Sequence, residues 1–339
     1  MIRIIITSAG GKLIPSLTKF LKNDKQLQGL YIVGIDKKKI KKNTYLDKKY
    51  LINEIREKNY IIKLLEICKK EKINLVIPYS DFEARVIAKF KNKLTKIGIK
   101  VLVNDSKIIK LISNKYLTYN ILKREGVSVP KYKLAKNLPV LKRVLNEFNY
   151  PQIGVVIKPI SSLGGRGVII LKGKKDKLER WIGKGKRETL FAKEKKLFSD
   201  KVFQYGPVMV MEILKSPAYD VDLFSFKKKN FFTIRKRINP SGIPYKGNII
   251  LKNKEIENYC KKISKILNIK FLVDIDLLTS SQTNKPVLLE INPRPSGSLV
   301  ATYFVNAPLF SLAIAKILKK KYFFDYSKVK SNKCIKLIN

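Results

Sequence analysis

Three side chains near the end of the chain have the types and spacing of a metal site. Asp276 lies in the first half of FLVDIDLLTSSQTNKPVLLEIN (271–292), and Glu290 and Asn292 lie beyond its polar turn. Two residues apart on one strand, Glu290 and Asn292 point to the same side. Oxygen donors without sulfur or imidazole suit a hard cation, Mg²⁺ with Mn²⁺ as the alternative, carrying the phosphates of a nucleotide. The competing reading is that these are ordinary polar strand ends. Against it, VDID and LLEIN sit inside apolar runs, where unpaired carboxylates are costly. Arg294 follows at once in NPRPSGS, a cation placed to hold a developing phosphoryl or carboxylate charge.

Two further stretches could bind phosphate. In VVIKPISSLGGRGVII (155–170) two apolar β-branched runs flank a glycine cluster, with Lys158 just inside the first. The stretch is either a plain hairpin or a loop whose backbone amides over 161–167 wrap phosphate oxygens. SAGG (8–11) follows a first strand and opens a helix, and Asp36 ends the next strand, the arrangement of a dinucleotide site. The full glycine pattern is missing, because Lys12, Leu13 and Ile14 follow Gly11, so a tight strand-to-helix turn is the preferred reading.

The elements that would position these residues follow from periodicity. Strands are expected at 2–7, 31–36, 74–79 and 100–104 with helices near 12–23, 60–72 and 81–97, a parallel α/β layer. A helix over 112–126 has Ser113 or Asn114 to cap it and Gly126 to end it, and Pro130 keeps the next segment extended. Beyond it come a helix over 138–150, strands in 155–170, 208–214 and 219–226, a helix over 253–268, the 271–292 hairpin and a helix over 307–320.

The 72 basic residues against 26 acidic ones, mostly lysine, are spread along the chain rather than gathered with aromatics. That pattern speaks against a specific nucleic-acid surface, although non-specific adhesion to polyanions follows from it. With no histidine and three scattered cysteines, zinc and a disulfide framework are both disfavoured. No stretch approaches 18 uninterrupted apolar residues and the first is too short for a signal peptide, so a cytoplasmic protein without membrane contact is expected.

Four segments in order, SNKYLTYNILKREGVSVPKY (113–132), VVIKPISSLGGRGVII, VMEILKSPAYDVDLF (210–224) and VDIDLL with VLLEINPRPSGS (273–298), resemble the ATP-grasp superfamily, nearest its carbamoyl-phosphate-synthase large-subunit branch. The resemblance covers about 1 to 320. It implies an α/β, Rossmann-like pre-ATP-grasp domain (1–108) followed by an α+β ATP-grasp domain of two subdomains (109–200 and 201–325) and a tail (326–339). Lys115 and Lys158 would reach the nucleotide's phosphates under a lid holding Ser162, Gly164, Gly165, Arg166 and Gly167. Met211, Glu212, Ile213 and Leu214 would form the adenine hinge. Asp276, Glu290 and Asn292 would hold the metal, with Lys158 and Arg294 at the reacting centre. Relatives place a ribose-binding glutamate four residues before Asp222; here that position is Ala218, and Asp220 on the same face would take the role. Arg235 and Arg237 alternate onto one side of FFTIRKRIN (231–239), and Arg237 is favoured as a contact to an acid substrate or phosphate, with Ser296, Gly297 and Ser298 gripping its head group.

The implied activity is an ATP- and Mg²⁺-dependent, ADP-forming ligase that joins a small carboxylate, preferably an amino acid, to an amine or thiol through an acyl phosphate. The alternatives are a kinase that stops at the phosphorylated product, a non-catalytic nucleotide-binding protein supported by Ala218, and an NAD-dependent oxidoreductase using SAGG and Asp36. A homodimer through the N-terminal domain is implied by analogy alone.

Overall fold

The structure is a computed structural model that describes residues 1–40, 43–54, 56–161, 167–171, 177–183, 186–191, 200–239 and 247–337, with backbone only over 177–201. Ser162, Gly164, Gly165 and Arg166 of the expected lid therefore lie outside the described residues. Among the described residues, no single helix is long and apolar enough to cross a membrane.

The chain begins with a parallel sheet. Its strands β1 (Ile2–Thr7), β2 (Leu30–Asp36), β3 (Lys48–Leu51), β4 (Leu75–Ile77) and β5 (Lys100–Val101) lie in the order β3-β2-β1-β4-β5. Ile4, Ile5 and Ile6 are all fully buried because both faces of the sheet are covered. Ile4 and Ile6 pack with α1 (Ile14–Lys22), whereas Ile5 packs with α2 (Glu57–Lys70) and α3 (Asp81–Lys89). Two details differ from the sequence reading. The helix expected over 81–97 divides at Phe90 into α3 and α4 (Lys91–Lys96), and the turn lets Leu94 drop into the same core as Ile87. Strand β3, KKYL, is an exposed edge with no apolar run to announce it. Helix α5 (Ser106–Ile112) then leads out of this layer.

The next unit opens with α6 (Lys115–Arg124), where the Asn114 side chain accepts from Leu117 N and fixes the first turn. Gly126, at φ +65°, turns the chain away beyond its end. An antiparallel sheet follows from β6 (Tyr132–Ala135), β7 (Val155–Pro159), β8 (Ile169–Leu171), β9 (Lys177–Gly183), β10 (Lys186–Phe191) and β11 (Val208–Glu212), ordered β10-β9-β8-β7-β11-β6 and backed by α7 (Leu138–Glu147).

The last sheet is also antiparallel. Its strands β12 (Lys215–Phe226), β13 (Lys229–Arg237), β14 (Asn248–Leu251), β15 (Phe271–Thr279), β16 (Pro286–Asn292) and β17 (Lys333–Ile335) run in the order β16-β15-β12-β13-β14-β17. Period-two alternation gives it two unlike faces. Val221 and Leu223 on β12, with Val273 and Ile275 on β15, pack against α8 (Lys254–Ile266) and α6. On the other face of β12, Asp220 and Asp222 are followed by Phe224 and Phe226. These two rings join a core with α9 (Leu309–Ile317) and the first sheet. That shared core sets the acidic end of β12 beside the N-terminal layer.

A bulge shapes the β15–β16 hairpin. Asp276 pairs with Glu290 but Leu277 pairs with Leu288, so Leu289 is the extra residue. The insertion lets Leu288 and Ile291 both face the core while Glu290 and Asn292 face away. The buried Tyr119 hydroxyl donates toward the Leu288 and Leu289 carbonyls, 2.7 and 2.9 Å away. Removing that hydroxyl strands buried acceptors, so Tyr119→Phe is expected to lower unfolding free energy in denaturant by about 1–2 kcal/mol. An unchanged midpoint would contradict the role given to this contact.

Candidate active site

The polar face of the third sheet is a lattice of charges set by strand register. One row across it reads Arg235, Asp220, Asp276, Glu290, and the next reads Thr233, Asp222, Asp274, Asn292. Arg235 is fully buried and holds this lattice together. It donates to both oxygens of Asp222 at 2.7 and 3.2 Å and to Asp220 at 3.4 Å, and lies 3.7 Å from Asp274. The same guanidinium donates to Ser298 Oγ at 2.6 Å and Ser296 Oγ at 2.9 Å. The two hydroxyls expected to grip a substrate are thus buried and committed to Arg235, which fastens the 294–298 loop to the sheet; Gly297 between them is exposed.

Arg237, two residues on, donates from Nε to both oxygens of Asp220 and from Nη2 to Asp276 Oδ1 at 3.2 Å, with a further short contact from Nη2 to Asp220. Asp220, expected to take ribose hydroxyls, is almost wholly buried between two arginines. Burial opposes its charge, but Arg235 and Arg237 outweigh it and hold its carboxyl below the usual range. Asp222 is pushed up to about 7, by burial first and then by Asp274 and Asp220, against the pull of Arg235. Burial and then Asp274 drive the Asp276 carboxyl well above the usual range, against the pull of Arg237.

Two lysines stand against the Glu290 end of this face. Lys115 opens α6, and its Nζ lies 3.2 Å from Glu290 Oε2. Lys158, on β7, reaches the Leu289 carbonyl of the bulge at 3.4 Å, with its Nζ 5.6 Å from the centre of the Tyr119 ring. Burial and then Lys115 lower the Lys158 ammonium to about 7, and Glu290 resists the shift. For Glu290, burial is outweighed by Lys115 and Lys158, so its carboxyl stays below the usual range.

Arg294 connects the site to the N-terminal layer. It donates to Asp274 at 3.1 Å and pairs at 3.2 Å with Asp81, the first residue of α3, while Tyr79 OH donates to the Ser296 carbonyl at 2.8 Å. Among the described residues the SAGG turn makes no such link to these groups. Gly10 N and Lys38 N donate to Asp36, and Ser8 N donates to Glu83, so these carboxylates already occupy the amides and a dinucleotide there has no structural support.

Met211 is buried in the core shared with Val156 and Leu288. The Glu212 carboxylate accepts from Lys131 N at 2.8 Å and Ser280 Oγ at 3.3 Å, and the Ile213 carbonyl accepts from Ser281. Leu214 packs at the edge of that core. Just before β8, Gly167 has φ +75°, and a Cβ there would stand 2.8 Å from Pro159 and 3.0 Å from Tyr205. No other residue fits that turn without displacing both.

The donors around Asp276 are oxygen-rich, as a divalent cation requires, and of the three expected ligands Asp276 alone belongs to the carboxylate cluster that Asp220 and Asp274 complete. Asn292 Nδ2 lies 3.4 Å from Asp276 Oδ2, Glu290 is the register partner of Asp276, and carboxylate oxygens of Asp220, Asp274 and Asp276 lie within 4.8 Å of one another. Like charges crowded this closely in a buried setting are what a hard cation relieves.

Family profiles match residues 4–102 to the PylC-like N-terminal domain and residues 204–336 to a family described as ATP-grasp in the biosynthetic pathway with Ter operon. The chain carries an ATP-grasp domain behind a PylC-like N-terminal domain. An uncharacterized protein of Methanocaldococcus jannaschii is 26% identical over 74% of this chain, and a carbamoyl phosphate synthase large chain of Pseudothermotoga lettingae is 23% identical over 76% of it. The aligned region spans 59% and 22% of those relatives' own lengths. Among solved structures, N5-carboxyaminoimidazole synthetase from Staphylococcus aureus complexed with ADP superposes with a TM-score of 0.70 at 13% identity, over 98% of this chain and 80% of that one. At that identity the likeness is one of fold.

Nothing in the sequence signals the partners that Asp222 and Asp274 of the third sheet and Asp81 of the N-terminal layer provide, or the depth of Arg235. Alternation in YDVDLF and VDID puts the carboxylates on one strand face, but only pairing across strands brings Arg235 to them. The raised carboxyls favour the unfolded chain as pH climbs above about 4, the ordinary Asp range, because the fold must then expel protons that it binds more tightly. Arg235→Met removes the opposing cation, so it is expected to cost roughly 3–5 kcal/mol at pH 8. The loss should be smaller at pH 5.5, measured by urea unfolding. Equal losses at both pH values would contradict the reading.

Proposed function

We propose that the cleft between the second and third sheets binds Mg-ATP and that the protein is an ATP-dependent, ADP-forming ligase. Its substrates are a small carboxylate, preferably an amino acid, and an amine or thiol. The observation that carries this reading is that Lys115 pairs with Glu290 and Lys158 reaches the adjoining Leu289 carbonyl, while Asp276 is the register partner of Glu290. Cations for phosphate oxygens and carboxylates for a divalent ion face each other there.

In this reading Lys115 and Lys158 bind the phosphate chain. Protonation of Lys158, whose pKa lies at about 7, is favoured by the anion it receives. Asp276, Glu290 and Asn292 hold Mg²⁺, which when bound neutralises charge on the transferring phosphoryl group. Arg294, oriented by Asp81 and Asp274, holds the substrate carboxylate in line with the γ-phosphate. The carboxylate oxygen attacks that phosphorus and ADP leaves; the amine or thiol then attacks the acyl carbon and expels phosphate. No step needs a protein nucleophile, which agrees with a chain devoid of histidine.

One observation favours a second reading, a nucleotide-binding protein without turnover. Asp220 is saturated by Arg235 and Arg237, and Ala218 offers no ribose contact in its place. ADP release measured across a panel of amino acids and small acids, each paired with amines, separates the two. Ligase activity predicts acid-stimulated release that falls by about a hundredfold or more in Glu290→Gln. Nucleotide binding with no acid-stimulated release would establish the second reading instead.

A further inference from the structure

Arg237 occupies a place in the lattice that neither the phosphate lysines nor the metal-facing residues explain. Its two contact sets are unequal. Three contacts tie it to Asp220, from Nε and Nη2, whereas one contact from Nη2 at 3.2 Å ties it to Asp276 Oδ1. Asp220 is buried and also paired with Arg235, so it is a fixed anchor. Asp276 is the shallower carboxylate, with 13% of its side chain exposed against 2% for Asp220, and Arg237 itself is 17% exposed. The guanidinium is therefore hinged on Asp220 and rests one edge on Asp276. The other oxygen of Asp276 faces Asn292 Nδ2. A cation arriving at Asp276 must compete with Arg237 for Oδ1.

We infer that Arg237 is the resident counter-ion of Asp276, displaced when a divalent cation binds, and that it then offers its freed edge to a carboxylate in the cleft. This rests on the metal reading of Asp276, Glu290 and Asn292 given above. The displacement breaks no covalent bond: one N–H···O contact to Asp276 is exchanged for metal coordination, while the contacts to Asp220 keep the arginine in place. A guanidinium suits the task because its planar fork can hold Asp220 along one edge and still present N–H groups along another. Metal loading and acid-substrate binding would thereby be coupled, the first ligand making the second one's site.

The test uses the full-length protein and Mn²⁺ alone, without nucleotide, and counts bound and free ion by electron paramagnetic resonance. Removing a competing unit charge in contact with Asp276 should tighten Mn²⁺ binding in Arg237→Met by about tenfold or more. Arg237→Lys, which keeps the charge but cannot span both carboxylates, should fall between Met and wild type, and it serves if the Met variant does not unfold cooperatively. Unchanged or weaker Mn²⁺ binding in a folded variant overturns the inference. Glu290→Gln separates this failure from failure of the metal reading. If Mn²⁺ binding ignores Glu290, the ion lies elsewhere and both fall; if it weakens with Glu290→Gln yet ignores Arg237, only the counter-ion role falls.

Discussion

A fully buried guanidinium is the constraint on which the rest of this site depends. Arg235 is expensive to bury unpaired, and the sequence surrounds it with Asp220, Asp222 and Asp274 from two neighbouring strands and with Ser296 and Ser298 from the loop beyond β16. Satisfying that one side chain fixes the register of β12, β13 and β15 on their polar face. It also anchors the loop carrying Arg294. The hydroxyls of that loop act inside the structure, and Arg294 ties the loop to Asp274 of the sheet and to Asp81 of the N-terminal layer.

The arrangement works because one sheet serves two purposes. Its apolar face buries Val221, Leu223, Val273 and Ile275 under α8 and α6, a stable platform formed by alternation alone. Its other face carries charges spaced by register. The bulge at Leu289 reconciles the two, turning Leu288 inward while leaving Glu290 facing Lys115. The carbonyls around the extra residue are taken by Tyr119 and Lys158, so the same irregularity that aims the Glu290 carboxylate also fixes the Lys158 side chain.

Much of this was legible in the sequence, for physical reasons that differ by element. Buried strands such as IRIIIT and VMVME announce themselves by β-branched and apolar runs, and α6 by the Asn114 cap. The short charged strands β3 and β17 carry no such signal, since edge strands need no continuous apolar face. Asp276, Glu290 and Asn292 could be placed on one side of a hairpin from spacing. The partnership of Arg235 with Asp222 could not, because it is set by which strand lies beside which. The same limit applies to Asp220. Its place on the strand face was readable, but the two arginines that enclose it come from β13.

The fate of one carboxylate oxygen distinguishes phosphoryl transfer to the acid from nucleotide binding without turnover. Incubating the protein with Mg-ATP, an amine and a carboxylic acid labelled with ¹⁸O, chosen as one that stimulates ADP release, and then weighing the released phosphate by mass spectrometry, follows that oxygen directly. Transfer of the γ-phosphoryl group to the acid predicts one labelled oxygen in the phosphate for each product formed. Phosphate free of label, with all ¹⁸O retained in acid and product, would contradict it.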